Sequence, residues 1–314
     1  MDEWALNTET VEKAYSGNQQ SQASVISHLE HGNDPDIVFG NRYKEIGNSQ
    51  RIGITGPPGA GKSTIVSGLI GHIRREGHNC AVIACDPSSP YSQGALLGDR
   101  TRMSEHFTDP DVFIRSMASR GHMGGLAPTT SIVADFLDLC GYKYIFIETV
   151  GVGQTEVDVV LKTDTIVVVL TPESGDSIQM MKAGLLEGAD IFCINKFDRS
   201  GGDSLISDLE FGLSLSKKDW RPPIVPTIAM RNKGVSELFS HIDEHGTYAR
   251  ANGKHDEKKQ ERFSSEVDFW LHNRIDNRLW QSDRTGIIQR AMIDGVTPWH
   301  LAEQIWSERM EEND

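Results

Sequence analysis

The segment Gly56-Pro57-Pro58-Gly59-Ala60-Gly61-Lys62-Ser63-Thr64 holds residue types that can bind a triphosphate. It fits G-x-x-x-x-G-K-[ST], a loop whose glycines let backbone N–H groups close on phosphate oxygens. The N-terminus of a helix after the loop adds a favourable dipole. The pattern places Lys62 to reach the β- and γ-phosphates and the Ser63 hydroxyl to bind Mg²⁺. A second constellation, Asn195-Lys196-Phe197-Asp198, directly follows the apolar run Ile191–Ile194. This N-K-x-D spacing suits guanine. The Asp198 carboxylate can accept from the guanine N1–H and 2-amino groups, which adenine lacks, and a site built on such bonds rejects the wrong base strongly. Asn195 is expected to brace the loop and Lys196 to lie over the base and ribose. Ile228-Ala229-Met230 follows the run Ile224–Thr227, where position alone makes it a second base-contacting loop.

Three carboxylates complete the chemistry. Glu148-Thr149-Val150-Gly151 ends the run Tyr144–Ile147, where an acid can reach Mg²⁺ through water and the glycine N–H can sense a γ-phosphate. Asp86 ends the run Ala81–Cys85 and is a candidate Mg²⁺-water ligand or water-orienting base. Asp99 lies in the long segment that follows. Three such charges beside a phosphate site imply a divalent cation to offset them. Ras-like enzymes orient the attacking water with a glutamine directly after this glycine. Here that position is Val152 and the nearest glutamine is Gln154, so the expected hydrolysis is slow and stimulated by a partner.

The elements that must position these groups are legible as alternating patterns. Arg51–Thr55, Ala81–Cys85, Val112–Arg115, Tyr144–Glu148, Thr165–Leu170, Ile191–Asn195 and Ile224–Thr227 read as strands, with amphipathic segments between most of them. Ile65, Val66, Leu69, Ile70 and Ile73 recur at helical spacing after the phosphate loop, with Gly77 as a stop. This alternation predicts an α/β fold, a doubly wound and mostly parallel sheet with ligands at the carboxyl ends of its strands. The domain expectation is an N-terminal helical segment over 1–48, a nucleotide-binding domain over 49–245 and a helical extension over 246–314. In the first, no motif is readable. In the last, the stretch from Asn252 to Arg262 is a linker or a solvated helix start. Phe263, Val267, Trp270, Leu271, Ile275 and Leu279 then follow helical spacing, and Thr297-Pro298 marks a further helix start. Four of the six tryptophans fall in this tail. Its apolar stripe must be buried on the parent domain or on a second copy.

The 314 residues carry a formal charge of −14, which argues against a nucleic-acid partner. No apolar run approaches a membrane span, and the start Met1-Asp-Glu-Trp4 lacks a signal-peptide pattern. Cys80, Cys85, Cys140 and Cys193 form no C-x-x-C pair and read as buried, reduced thiols of a cytoplasmic protein.

On these residues the chain resembles the MeaB/ArgK-like GTPases of the G3E group, which include the methylmalonic aciduria type A protein. The resemblance is carried by Gly56–Thr64, Asp86–Pro90, Gly94–Met103, Glu148–Gln154 and Asn195–Asp198. Gly175–Lys182 is similar to the family's additional switch loop. The resemblance implies GTP/GDP and Mg²⁺ as ligands. It also implies a chaperone that gates cofactor loading and protects an adenosylcobalamin-dependent acyl-CoA mutase, and a homodimer held by the C-terminal helices. By the same resemblance Lys62, Ser63, Asp86, Asp99 and Glu148 serve phosphates and metal, and Asp176, Gln179 and Lys182 contact the mutase. Ile228-Ala229-Met230 departs from the family's Ser-Ala-type string, which points to backbone contact with guanine O6. Met117–Arg120 departs from a stretch often richer in Ser and Pro. Two alternatives remain at this point: a metal-delivery GTPase for a nickel enzyme, for which no Cys/His motif is visible, and a kinase, for which no phosphoacceptor site is.

Overall fold

A computed structural model of the chain describes residues 6–86, 100–118, 129–149, 155–173, 185–215, 218–280 and 284–310. Two compact units divide it, Met1–Gln260 and Glu261–Asp314. In the first, the seven apolar runs form strands β1 (Gln50–Thr55), β2 (Cys80–Asp86), β3 (Val112–Ala118), β4 (Tyr144–Glu148), β5 (Thr165–Leu170), β6 (Ile191–Ile194) and β7 (Ile224–Pro226). They make one sheet in the order β3-β2-β4-β1-β5-β6-β7. Every pairing is parallel. Strands in such a sheet are covered on both faces, so they appear in sequence as continuous apolar runs. Every residue of β1, β4, β5 and β6 is buried.

The two faces carry separate cores. On one, Val167, Val169, Ile191 and Cys193 pack with Ile65, Leu69 and Ile70 of helix α4 (Lys62–Arg75). Phe239 and Ile242 of a later helix, Val235–Ala251, join them. On the other, the alternating neighbours Ile166, Val168, Leu170, Phe192 and Ile194 pack with Leu205, Leu209 and Leu213 from the helix Gly202–Ser214. The alternation along β5 and β6 is the period-two geometry of a strand. Helix α4 stops as expected, with Gly77 at φ +79° donating its N–H to Arg74 O at 3.1 Å.

The amino-terminal segment is built onto this unit. Helices α1 (Thr8–Tyr15) and α2 (Gln19–Glu30) start on side-chain caps, Asn7 Oδ1 accepting from Thr10 N–H and Asn18 Oδ1 from Ser21 N–H, each at 2.8 Å. A short turn of helix, α3 (Asp36–Phe39), follows. Gln22 is fully buried; its Nε2 donates to Ala14 O at 3.1 Å and its Oε1 accepts from Tyr142 Oη at 3.0 Å. Asp138, on helix α5 (Thr129–Leu139), accepts three backbone N–H groups: Gly47 at 2.7 Å, Asn48 at 3.2 Å and Ser49 at 3.1 Å.

Further charge is buried where the strands begin. The Arg51 guanidinium pairs with Asp135, both almost wholly buried. Arg51 N–H also donates to Asp164 Oδ2 at 2.9 Å. Burial opposes a charged Arg51, but Asp135, Asp164 and Asp138 hold its pKa above the ordinary value. Beside it, Gln50 Nε2 donates to Thr165 Oγ1 at 3.0 Å, and Thr165 Oγ1 bonds His245 Nδ1 at 2.9 Å. His245 Nε2 lies 3.3 Å from Asp190 Oδ1.

The remaining helices, in chain order, are α6 (Thr155–Lys162), α7 (Leu185–Gly188), α8 (Gly202–Ser214), α9 (Val235–Ala251), α10 (Lys254–Trp280), α11 (Arg284–Ile293) and α12 (Pro298–Met310). The charged stretch after Asn252 is therefore helical from Lys254 onward. The α12 helix begins at Pro298, and Leu301 N–H donates to Thr297 O at 3.0 Å, as the Thr-Pro start predicts. The second unit leaves large apolar side chains open to solvent, Leu271 at 53%, Met292 at 75% and Trp299 at 71%.

Candidate functional site

The site is assembled at the carboxyl ends of the central strands. The phosphate loop leaves β1 through Gly56 at φ +137°, and a Cβ there would meet Val169 O of β5 at 2.1 Å. Only glycine fits, because the loop crosses directly over its neighbour strand. Gly61 closes the loop at φ +92°, and a Cβ would stand 2.4 Å from Asn195 Nδ2. Helix α4 then starts at Lys62, with its first N–H groups directed at the loop. Lys62 is 6% exposed, and its ammonium donates to Gly56 O at 2.8 Å and Pro57 O at 3.1 Å. The loop carbonyls thus hold the cation over the hollow in which a phosphate chain would lie.

The parallel register sets Ile54 against both Glu148 and Val167, so the acid stands at the loop's base. Ser63 Oγ donates to Glu148 Oε1 at 2.7 Å, and both residues are buried. A hydroxyl and a carboxylate in contact at a helix N-terminus are hard oxygen donors of the kind Mg²⁺ takes when phosphates and waters complete its shell. The donor set therefore fits the expected ion. Thr149, next in sequence, is also buried; its N–H donates to Ile54 O at 3.1 Å and its hydroxyl to Thr55 Oγ1 at 3.1 Å. These bonds fix the segment after Glu148 to the strand that feeds the phosphate loop.

The base-reading string is tied to the same loop by one side chain. Asn195 is 3% exposed. Its Nδ2 donates to Ala60 O at 2.8 Å, while its Oδ1 accepts from Ala229 N–H at 3.1 Å and Thr227 Oγ1 at 3.3 Å. The bracing expected of Asn195 thus reaches both loops. Lys196 takes a left-handed φ of +57°, and Phe197 N–H donates to Thr227 O at 3.1 Å. Asp198 then projects as an exposed carboxylate beyond the anchored pair. In the neighbouring string, Ile228 N–H donates to Lys233 O at 3.0 Å and Ala229 N–H is held by Asn195. Two of its three backbone donors are engaged internally, while Met230 is 86% exposed.

The anchors Thr227 and Thr149 were not singled out from sequence. The available signal was a hydroxyl residue directly after an apolar run, as Asn195 follows its own. Asp86 is the last residue of β2, and its side chain lies outside the described set. Asp99, Val152, Gln154, Asp176, Gln179 and Lys182 also lie outside the described residues. Cys193, in β6, is fully buried, and burial pushes its thiol up to about 12. None of the four cysteines forms a disulfide. Among the described residues, no group of three or more His, Cys, Asp or Glu side chains is arranged to hold a metal. No described helix is long and apolar enough to cross a membrane.

Residues 26–284 match the family model described as methylmalonyl Co-A mutase-associated GTPase MeaB. The chain belongs to the MeaB family. A putative GTPase of Pyrococcus abyssi is 43% identical over 310 residues, covering 96% of each chain. The mouse methylmalonic aciduria type A homolog, a mitochondrial protein, is 34% identical over 244 residues, 75% of this chain and 57% of that one. The crystal structure of LAO/AO transport system kinase aligns with a TM-score of 0.67 at 23% identity, covering 98% of this chain and 99% of that chain. That last likeness is one of fold. This MeaB-family chain is a P-loop GTPase that binds guanine nucleotide, on the sheet and loop geometry expected from its motifs.

Proposed function

We propose that this MeaB-family GTPase is a nucleotide-timed chaperone of an adenosylcobalamin-dependent acyl-CoA mutase, gating cofactor loading and protecting the mutase from inactivation. The observation that carries this reading is the family match over residues 26–284, whose description names a mutase-associated GTPase. The mouse relative's name, methylmalonic aciduria type A homolog, agrees with it.

Within that reading, Lys62 holds the β- and γ-phosphates once it exchanges the carbonyls of Gly56 and Pro57 for phosphate oxygens. Ser63 and Glu148 would hold Mg²⁺, with Asp86 and Asp99 as further carboxylates. Bound there, the ion would neutralise charge on the β- and γ-oxygens. Asp198 selects guanine, and Asn195 keeps its loop in register with the phosphate loop. Val152 cannot orient water as a glutamine would, so the isolated chain turns over slowly and the client accelerates it. Asp176, Gln179 and Lys182 would move with nucleotide state and contact the mutase. The apolar side chains exposed on the C-terminal helices support a homodimer.

The test is affinity capture from the organism's own lysate, with the chain loaded with a non-hydrolysable GTP analogue or with GDP. The expected result is an adenosylcobalamin mutase whose recovery depends on the nucleotide. No cobalamin enzyme in either state, or rapid GTP turnover by the chain alone, would count against the proposal.

A further inference from the structure

The carboxyl edge of the sheet accounts for the nucleotide motifs, but a second concavity lies at the other end of β1. It is a cavity of about 620 Å³. One wall is the turn that precedes β1, and the others come from the last turn of α9 and the first turns of α10. Six strand residues separate it from the phosphate loop, about 20 Å at the usual rise. Its size falls within the range of small-molecule sites.

Lys44, Arg250 and Lys259 converge on this cavity in a chain whose formal charge is −14. Their neutralisation is incomplete. Lys259 Nζ donates to the carbonyl of Ile46, and Arg250 Nη2 donates to Ser49 O at 3.1 Å. Both partners are neutral carbonyls, and neither cation forms an ion pair among the described residues. An ammonium has three donors and a guanidinium five, so each keeps N–H groups to spend. The opposing carboxylates lining the cavity, Glu45 and Asp256, are both exposed, Asp256 at 89%.

A second, independent feature is His255. Its side chain is nine-tenths buried and lines the cavity, with its Nδ1 3.5 Å from Asp256 Oδ1. Gly47 forms the facing wall at φ +121°. A Cβ there would stand 3.0 Å from Lys259 Nζ and 3.7 Å from His255 Cε1, so a side chain would crowd the space between them. The Gly47, Asn48 and Ser49 N–H groups are already held by Asp138, which fixes this wall from behind.

We propose that this cavity is a second ligand site, for a compact phosphorylated small molecule, whose phosphate is bound by Lys259, Arg250 and Lys44. It gives the amino-terminal segment a role: that segment supplies the wall without which no cavity would form. The reading does not depend on the mutase.

Isothermal titration of the full chain, saturated with GDP and Mg²⁺ so that the phosphate loop is filled, tests it with two probes, inorganic phosphate and ribose 5-phosphate. One equivalent of at least one probe is expected to bind, at least about tenfold more weakly in Lys259→Met and Lys44→Met, with GDP affinity unchanged. Tighter binding of ribose 5-phosphate assigns an organic phosphate; equal binding assigns the free anion. Lys44 is exposed, so its variant remains informative if Lys259→Met proves unstable. No heat up to about 10 mM, or binding unchanged in both variants, overturns the proposal.

Discussion

The two edges of the same sheet are built on opposite rules. At the carboxyl edge, polar groups are spent on backbone: Lys62 on the carbonyls of Gly56 and Pro57, Asn195 on Ala60 and Ala229, Thr149 on Ile54. At the amino edge, carboxylates meet cations and stacked backbone donors: Asp135 with Arg51, Asp138 with three N–H groups, Asp190 with Lys258. The first arrangement fixes loop shapes and keeps charge available for a ligand. In the second these carboxylates are satisfied internally, and Asp138 ties the amino-terminal segment to the sheet. The nucleotide motifs and the buried ion pairs are thus placed at opposite ends of β1, and substitutions in each should fail differently.

The largest effect is expected at the carboxyl edge. Lys62→Ala should slow single-turnover GTP hydrolysis by about 10²–10³-fold, the size of losing one preorganised donor to developing charge, with little change in melting temperature. Equal losses of activity and stability would break the comparison. Next is the amino edge. Arg51→Met leaves Asp135 buried without its cation and should cost about 3–5 kcal/mol in urea denaturation, while Arg51→Met with Asp135→Leu recovers most of it. If GTP affinity, and not stability, falls in the single variant, the division between edges is wrong. Asp198→Asn should lower GTP affinity and raise xanthosine triphosphate affinity at unchanged stability, since its carboxylate is exposed. Equal GTP binding by the variant removes Asp198 from the site.

Asn195→Ala sharpens the comparison because it alone should move both quantities. It strands Ala60 O and Ala229 N–H in a buried setting, a cost of about 1–3 kcal/mol, and loosens both nucleotide loops. The smallest effect is in acid. Burial opposes ionisation of Asp190, but the His245 hydrogen bond and Lys258 more than offset it, so its pKa lies below the ordinary carboxylate value. The stabilisation is therefore complete above the unfolded-state value, about pH 4, and is lost as pH falls through the depressed folded value. Asp190→Asn should flatten the acid limb of the melting temperature against pH; an unaltered limb would assign acid sensitivity elsewhere.

The fold was legible because parallel strands covered on both faces cannot disguise themselves. All seven runs became strands, two with the expected bounds and five with an end moved by one to three residues. The phosphate and guanine motifs were legible because their geometry is local: a glycine turn, a helix start, a residue ending a strand. What sequence did not show is what joins distant segments. Thr227 and Ala229 meet Asn195 only because β6 and β7 pair. Asp138 carries no motif in the sequence, and its three N–H partners lie about 90 residues away. Arg51 opening an apolar strand and Asp135 inside the apolar helical run Ser131–Leu139 each broke a pattern. Two opposite charges that both violate burial are a pairing signal, but choosing the partner needs the strand order.

The Asn195 bridge has a thermodynamic consequence. One carboxamide holds the phosphate loop and the base loop in register, so recognition of base and of phosphate is coupled before any nucleotide arrives. Guanosine and pyrophosphate, offered as separate fragments, should then each find the other's half of the cleft already shaped. The ordering cost that two independent loops would owe on binding was met during folding. In such a cleft, the base grip is expected to outlast loss of the γ-phosphate, which slow GDP release after a single turnover would register.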